Sequence, residues 1–418
     1  MKPAALGIVG LGYVGLPLAL AFAEAGNEVV GLDTDAAKIA DLAAGRSYIE
    51  DVADAELAAL SPRLHPTTDY AALEDCGAIV VCVPTPLTSS REPDLSYLRE
   101  TATALAAHLQ PGQLIVLEST SYPGTTREEL LPVLAAHGGA VGVDFFLAFS
   151  PERIDPGRSD HTIRTTPKLV GGITPACTER AAALYGQICD TVEVLSSPET
   201  AELAKLLENI FRSVNIALVN EIAQLCDRLG IDVWEVIEAA ATKPFGFMRF
   251  DPGPGMGGHC LPVDPFYLAF KAREHDFYPE FIELAGKVNQ AQPEFCVRRI
   301  ERALNDAGKP VKGSRILILG AAYKPGIGDT RESPALRIID LLRGLGAEVS
   351  YHDPFVPEIP SQGLTSVDLD AGLASTDLLA IVTAHPGVDH AAAIAAVPLA
   401  IDFRGISRGL DADNVERL

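Results

Sequence analysis

An apolar run, Leu6–Gly10, leads into Gly10-Leu11-Gly12-Tyr13-Val14-Gly15, and a helix-forming segment, Ala19–Ala25, follows. No other stretch restricts the fold as strongly. The three glycines have separate physical tasks at this spacing. Gly10 permits a tight turn out of a strand, Gly12 lets backbone approach a pyrophosphate, and Gly15 lets helix and strand pack closely. Asp33 closes the next apolar run, Glu28–Asp33, where a carboxylate can hydrogen-bond a ribose 2′-hydroxyl; this favours NAD over NADP, and Lys38 blurs that preference. Taken singly, Asp33 is a solvated turn residue and the glycine pattern is weak. The strand–turn–helix setting points to NAD, with FAD or no cofactor as the other readings.

Apolar runs and amphipathic segments alternate through the first half. Ala78–Pro84, Leu114–Ser119 and Phe145–Phe149 read as further buried strands, and Asp35–Ala44, Ser96–His108 and Thr126–Ala136 as helices between them. From Ser197 the pattern becomes helical for over thirty residues, opened by Ser197-Pro198-Glu199 and closed by Gly230. Helices are expected at Val233–Ala241, Pro265–His275 and Phe281–Ala291. Alternation returns with strands at Arg315–Gly320, Glu348–His352, Leu378–Val382 and Leu399–Asp402 and a helix at Ser333–Leu345. The fold class is therefore α/β: two Rossmann-like parallel-sheet domains joined by a long central helix and a helical middle domain. The expected segments are 1–196, 197–305 and 306–418, with the functional site in the cleft between them.

Charge and cysteine usage exclude several functions. The 418 residues carry a formal charge of −23, with 48% hydrophobic residues, so bulk-charge binding of nucleic acid or anionic membrane is not expected. Local cations and backbone N–H groups still suffice for a small anionic ligand. The apolar runs fall far short of the ~20 residues that span a bilayer. Seven scattered cysteines without a CxxC pair argue against a disulfide framework or a thiolate zinc site, and place the chain in the cytoplasm with no metal. Six of them read as small buried hydrophobes.

Cys260 is the exception. It follows Gly253-Pro254-Gly255-Met256-Gly257-Gly258-His259 and precedes Asp264-Pro265, a helix start. The loop offers backbone N–H groups to a ligand, and a positive helix end favours the nucleophilic thiolate. On residues alone, a buried thiol and a helix-capping Asp264 fit equally well. Lys205 and Asn209, one turn apart on the long helix, share a face that can hold water or an oxyanion, or can simply be solvated.

The motifs GLGYVGLP (10–17), VPTP (83–86), ESTSYPGTT (118–126), SPER (150–153), AELAKLLEN (201–209), GPGMGGHCLPVDP (253–265) and YKPGIGDTRESPA (323–335) stand in order along the chain. Together they resemble the UDP-glucose/GDP-mannose dehydrogenase family over nearly the whole length, most closely its UDP-N-acetylglucosamine 6-dehydrogenase branch. The resemblance implies oxidation of a nucleotide-sugar C6 alcohol to a carboxylate with two NAD, through a thiohemiacetal and thioester on Cys260. It assigns Lys205 to oxyanion stabilisation, Asn209 and Asp264 to a water molecule, Glu152 to thioester hydrolysis, and Thr120 to water and cofactor.

The same resemblance places Gly10, Gly12, Tyr13, Val14, Gly15, Asp33, Lys38, Thr85, Thr120 and Arg331 around the cofactor. It places Glu152, Arg153, Lys205, Asn209, Gly255, Gly257, Gly258 and Lys324 around the sugar nucleotide. Arg331 also matches a residue that holds the nucleotide sugar, and alternatively pairs with Asp329 or Glu332. Arg404 is a looser match to a substrate-side arginine, and Arg249 is open between sugar, partner subunit and solvent. Pro156 stands where many UDP-glucose enzymes have an acid. A homodimer or dimer of dimers is implied. UDP-glucose, UDP-N-acetylmannosamine and GDP-mannose are the alternative substrates. A two-electron hydroxyacid dehydrogenase and a non-catalytic nucleotide-sugar sensor are the readings from other classes.

Overall fold

The computed structural model describes residues 5–49, 52–88, 92–154, 161–258 and 263–418. The chain forms two compact units: Met1–Glu208 with Phe266–Phe277, and Asn209–Pro265 with Tyr278–Leu418.

The first unit is built on strands β1 (Ala5–Val9), β2 (Val29–Leu32), β3 (Leu64–Thr67), β4 (Cys76–Val81), β5 (Leu114–Leu117), β6 (Phe146–Phe149), β7 (Lys168–Gly172) and β8 (Val192–Leu195). Their order is β3-β2-β1-β4-β5-β6-β7-β8. Neighbours run parallel except for the antiparallel pair β6–β7. Helices α1 (Gly15–Glu24), α2 (Ala36–Ala43), α3 (Asp54–Leu60), α4 (Ser96–His108), α5 (Leu131–Gly138) and α6 (Pro175–Tyr185) connect them. Strands β1 and β4 to β6 are largely buried, which is why they read as short continuous apolar runs. Leu6, Ile8, Leu16, Phe22, Val80, Val116 and Tyr185 belong to one core of this unit.

Helix α7 (Pro198–Leu229) is a single 32-residue rod, as its uninterrupted helical pattern predicts, and the boundary between the units falls within it. It is followed by α8 (Val233–Ala241), α9 (Asp264–Arg273), α10 (Glu280–Gln290) and α11 (Gln292–Asp306).

The second unit holds β9 (Arg315–Leu319), α12 (Pro334–Gly344), β10 (Glu348–His352), a small hairpin of β11 (Glu358–Ile359) and β12 (Leu364–Thr365), α13 (Leu369–Ser375), β13 (Leu378–Ile381), α14 (His390–Ala395), β14 (Ala400–Asp402) and β15 (Val415–Arg417). The main sheet runs β10-β9-β13-β14-β15, all parallel. Ile316, Ile318, Ile338 and Leu342 pack with Trp234, Phe295 and Ile300 in one core, so α8 and α11 belong to this unit.

Both sheets expected from the sequence are present, but four of their strands were not foreseen. β3, β7, β8 and β15 are short, and three of them carry Glu, His or Arg, which breaks an apolar pattern. α11 follows α10 after one residue and opens on Gln292-Pro293, so the sequence reads as a break where the chain only turns. Among the described residues no helix is long and apolar enough to cross a membrane. Of the six described cysteines, all free thiols, five are buried and Cys82 is half-buried. Burial pushes Cys76 up to about 12, Cys189 up to about 11, and Cys82, Cys226 and Cys296 up as well, so these sulfurs stay protonated and inert.

Candidate active site

The glycine turn of the first unit has the form its spacing predicts. Gly10 lies at φ +90°, and a Cβ there would stand 2.6 Å from the Cys82 carbonyl oxygen. A Cβ on Gly15 would stand 1.8 Å from the Gly10 carbonyl oxygen, so helix and turn touch through bare backbone. A Cβ on Gly12 would meet nothing within 4 Å. Gly12 therefore faces open space at the positive end of α1, with Tyr13 exposed beside it and Val14 as the helix cap. The residues fit a dinucleotide: open backbone where the pyrophosphate goes and an acid at the end of β2.

That acid is tied down. Asp33 Oδ2 accepts the Leu11 N–H at 3.0 Å and the Lys38 ammonium at 3.1 Å, and Oδ1 accepts the Asp35 N–H at 2.9 Å. Lys38 thus neutralises Asp33. A second pair of expected cofactor residues meets where the Thr85 hydroxyl donates to the Thr120 carbonyl at 2.7 Å. The Tyr267 hydroxyl caps the Thr85 carbonyl from α9.

Deeper in the same unit lies a charge cluster that the sequence did not disclose. Lys168, at the start of β7, hydrogen-bonds Glu118 at the end of β5, and stands 3.6 Å from Glu152. The Tyr185 hydroxyl donates to the other Glu118 oxygen at 2.6 Å. Glu118 and Lys168 are both buried. Burial pushes Glu118 up to about 7, with Lys168 opposing and Glu152 adding to the shift. Burial works against the charge of Glu152 too. There Lys168, the Ile154 N–H and Lys205 outweigh it and hold the carboxyl below its usual range. Glu152 Oε1 accepts the N–H groups of Arg153 at 2.7 Å and Ile154 at 2.5 Å. Arg153 itself pairs with Glu208 at 2.7 Å. Lys205 is buried on α7. Glu118 belongs to the ESTSYPGTT motif, from which only Thr120 was singled out; Lys168 heading the apolar run Lys168–Gly172 was the available signal for its partner.

In the second unit, Asn209 Nδ2 donates to Asp264 Oδ2 at 2.5 Å, and Asp264 is buried in the first turn of α9. Asp264 is thus inside the helix rather than capping it. His259 and Cys260 lie outside the described residues, as does Pro156.

The glycine loop before Cys260 needs one correction. Its N–H groups are not all open to a ligand: Gly253 donates to Asn220 Oδ1 at 3.0 Å and Gly258 to the Arg331 carbonyl at 3.0 Å. The glycines instead permit close packing. A Cβ on Gly257 would stand 2.5 Å from Tyr323 Cβ, and Gly255 and Gly258 are at φ +138° and +91°. The loop with Gly255, Gly257 and Gly258 therefore lies against the segment that carries Lys324. Arg331 makes a two-pronged ion pair with Asp329 (2.6 Å at the shorter contact), which is the pairing the sequence left open. Arg404 is desolvated, which lowers its pKa, and a Cβ on Gly253 would stand 2.7 Å from its Nη1. Arg249 pairs with Asp251 at 2.8 Å.

Three family models match the chain in succession: the UDP-glucose/GDP-mannose dehydrogenase family NAD binding domain over 4–189, its central domain over 199–291, and its UDP binding domain over 317–408. A UDP-N-acetyl-D-glucosamine 6-dehydrogenase of Pseudomonas aeruginosa is 37% identical over 358 positions, covering 85% of this chain and 84% of its own. A UDP-N-acetyl-D-mannosamine dehydrogenase of Pyrococcus horikoshii is 36% identical over 425 positions, covering 97% and 99%. The solved structure of the UDP-D-ManNAc dehydrogenase from Pyrococcus horikoshii superimposes with a TM-score of 0.89 over 99% of this chain and 98% of that one, at 32% identity.

Proposed function

The chain belongs to the UDP-glucose/GDP-mannose dehydrogenase family and is an NAD-dependent UDP-sugar dehydrogenase, and we propose that it oxidises C6 of UDP-N-acetyl-D-glucosamine to the uronic acid through a covalent bond to Cys260. NAD, when bound, accepts one hydride in each of two oxidations. Gly10, Gly12, Gly15 and the start of α1 hold its pyrophosphate, with Asp33 toward the ribose.

The chain's own groups handle protons and the C–S bond. The C6 hydroxyl proton passes to a water held by Asn209 and Asp264 as the alcohol becomes an aldehyde. The Cys260 thiolate adds to the aldehyde carbon, and Lys205 neutralises the oxyanion of the resulting thiohemiacetal. Loss of the second hydride and the hydroxyl proton leaves a thioester. Glu152, ionised beside Lys168, takes a proton from water as it attacks; the C–S bond breaks, the thiolate is restored and the carboxylate leaves. The sum is one alcohol, two NAD and one water giving one carboxylate, two NADH and three protons.

The observation that carries this reading is the Asn209–Asp264 hydrogen bond, which holds together two polar groups, one of them four residues along the chain from Cys260. A second reading, the same chemistry on UDP-N-acetyl-D-mannosamine, is supported by the relative that aligns over 97% of the chain. Measuring NADH formed per sugar consumed on both epimers, UDP-glucose and GDP-mannose decides between them. Two NADH per sugar with UDP-N-acetyl-D-glucosamine turned over fastest supports the proposal. One NADH per sugar removes the thioester, and faster turnover of another sugar replaces the substrate.

The reading includes a homodimer and keeps the three segments 1–196, 197–305 and 306–418, in register with the three family models. Phe211, Leu218, Leu225 and Leu229 form an exposed stripe on α7, and Phe281 and Leu284 are exposed on α10. A contiguous apolar stripe of this kind supports burial against a second copy.

A further inference from the structure

The second unit repeats the first turn of the first unit with one difference. Gly320 follows β9 at φ +88°, as Gly10 follows β1 at +90°, and a Cβ on Gly320 would stand 2.2 Å from the Thr383 carbonyl oxygen. Asp353 follows β10 as Asp33 follows β2. It accepts the N–H groups of Ala321 and Ala322 at 2.7 and 2.9 Å, as Asp33 accepts that of Leu11.

The acid then differs in its surroundings. Asp33 has a lysine beside it and accepts one N–H from its own turn, that of Asp35, whereas Asp353 accepts two, those of Phe355 at 2.8 Å and Val356 at 3.1 Å. His385 Nε2 completes the set at 2.8 Å from Oδ2. Five donors on one carboxylate leave it no capacity for a ribose hydroxyl. Burial works against its charge, but His385 and the backbone donors hold it below the usual range.

His385 reaches the same loop from the other side. Its Nδ1 lies 3.2 Å from the Gly326 N–H, and its ring stacks near Phe355 with centroids 5.0 Å apart. An Nδ1 that accepts from a backbone N–H carries no proton, so Nε2 is the protonated nitrogen and donates to Asp353. His385 and Asp353 side chains are almost wholly buried. Between them they grip Ala321 and Ala322 on one side of Lys324 and Gly326 on the other.

We infer that His385 and Asp353 are a positioning pair that fixes the segment 321–326 so that Lys324 is presented to the diphosphate of the nucleotide sugar. The unit's own acid is turned inward as a structural anchor, and recognition passes from the acid to the loop it holds. The inference rests on the reading of Lys324 as a diphosphate ligand.

The test is UDP binding by titration calorimetry to the full-length protein and to His385→Phe, His385→Asn, Lys324→Ala and the double variant His385→Phe/Lys324→Ala. Phe keeps the ring and removes both polar atoms; Asn keeps an acceptor near the Gly326 N–H. His385→Phe is expected to weaken UDP about tenfold, on the scale of one or two lost hydrogen bonds. The loss appears in KM for the sugar nucleotide rather than in kcat, with KM for NAD unmoved. Asn restores most of the affinity. The double variant binds no more weakly than Lys324→Ala, because His385 acts through the lysine. Unchanged affinity in His385→Phe, or additive losses in the double variant, overturns the inference. An unchanged affinity in Lys324→Ala overturns the reading of the lysine instead, and is seen separately.

Discussion

The Lys168 ammonium is hydrogen-bonded to the buried Glu118 carboxylate and stands 3.6 Å from Glu152. One cation therefore serves two acids that no solvent reaches freely. Lys168→Met leaves both carboxylates facing each other without it. Loss of one member of a buried ion pair costs about 3–5 kcal/mol. Urea unfolding of the variant is expected to show a loss of that size, and a loss below about 1 kcal/mol would show that the cluster is not electrostatically coupled.

The same cluster gives a pH dependence with a definite sign. Glu118 is ordinary near 4.5 in the unfolded chain and is pushed up to about 7 in the fold by burial. Between those values the folded state binds the extra proton, so this group's contribution to stability is greatest below about 4.5 and is lost as pH rises toward 7. The slope from one proton is at most about 1.4 kcal/mol per pH unit. Glu118→Gln cannot titrate, so the stability of the variant relative to the parent should rise across this window. A constant difference from pH 4.5 to pH 7 would show that Glu118 is not protonated in the fold.

Two glycines of the first turn should separate folding from binding. Gly15→Ala puts a methyl 1.8 Å from the Gly10 carbonyl oxygen, which the turn cannot relieve without moving α1. Overpacking of this kind costs about 1–3 kcal/mol or more. Gly12→Ala meets nothing in the protein, so its Tm should be unchanged while KM for NAD rises by about tenfold or more, because the methyl occupies space needed by the pyrophosphate. A destabilised Gly12→Ala with an unaltered KM for NAD would show that this face is packed rather than open.

Much of this was legible in the chain itself, and the reasons differ by element. β1, β5 and β6 are buried on both faces and so read as apolar runs; α7 reads as a helix because nothing breaks it for 32 residues. The glycine turn was legible because each glycine has a steric reason tied to its spacing. Glu118, Lys168 and Tyr185 were not, because they are far apart in sequence and converge only when β5, β7 and α6 pack. His385 and Asp353 were hidden in the same way, since an isolated histidine after a strand carries no pattern. Local chemistry is written in local sequence, whereas a buried polar network is a property of the sheet order.

The exposed stripe on α7 should govern assembly. Leu218 and Leu225 lie two turns apart and are 57% and 49% exposed, too much apolar surface for a helix face with no partner. Replacing both by Asp puts two charges where the proposal places a second copy of the helix. Sedimentation velocity is expected to give a dimer for the parent and a monomer for the double variant, with an unchanged far-ultraviolet spectrum. A parent that sediments as a monomer would remove the dimer from the reading.

Asn209 and Asp264 act, on the proposed mechanism, as one unit around a water molecule. Their 2.5 Å hydrogen bond orients the carboxylate. Asn209→Ala removes the donor that orients Asp264, and Asp264→Asn removes the carboxylate that holds the water. Each should lower kcat by about a hundredfold, the lower end of what a positioned general base contributes. Groups that act as a unit are not additive, so the double variant should be no slower than the slower single variant. Steady-state NADH formation on UDP-N-acetyl-D-glucosamine, with UDP affinity measured in parallel to show an intact nucleotide site, gives the comparison. Multiplying losses in the double variant would mean that the two residues serve separate steps, and the shared water would have to be abandoned.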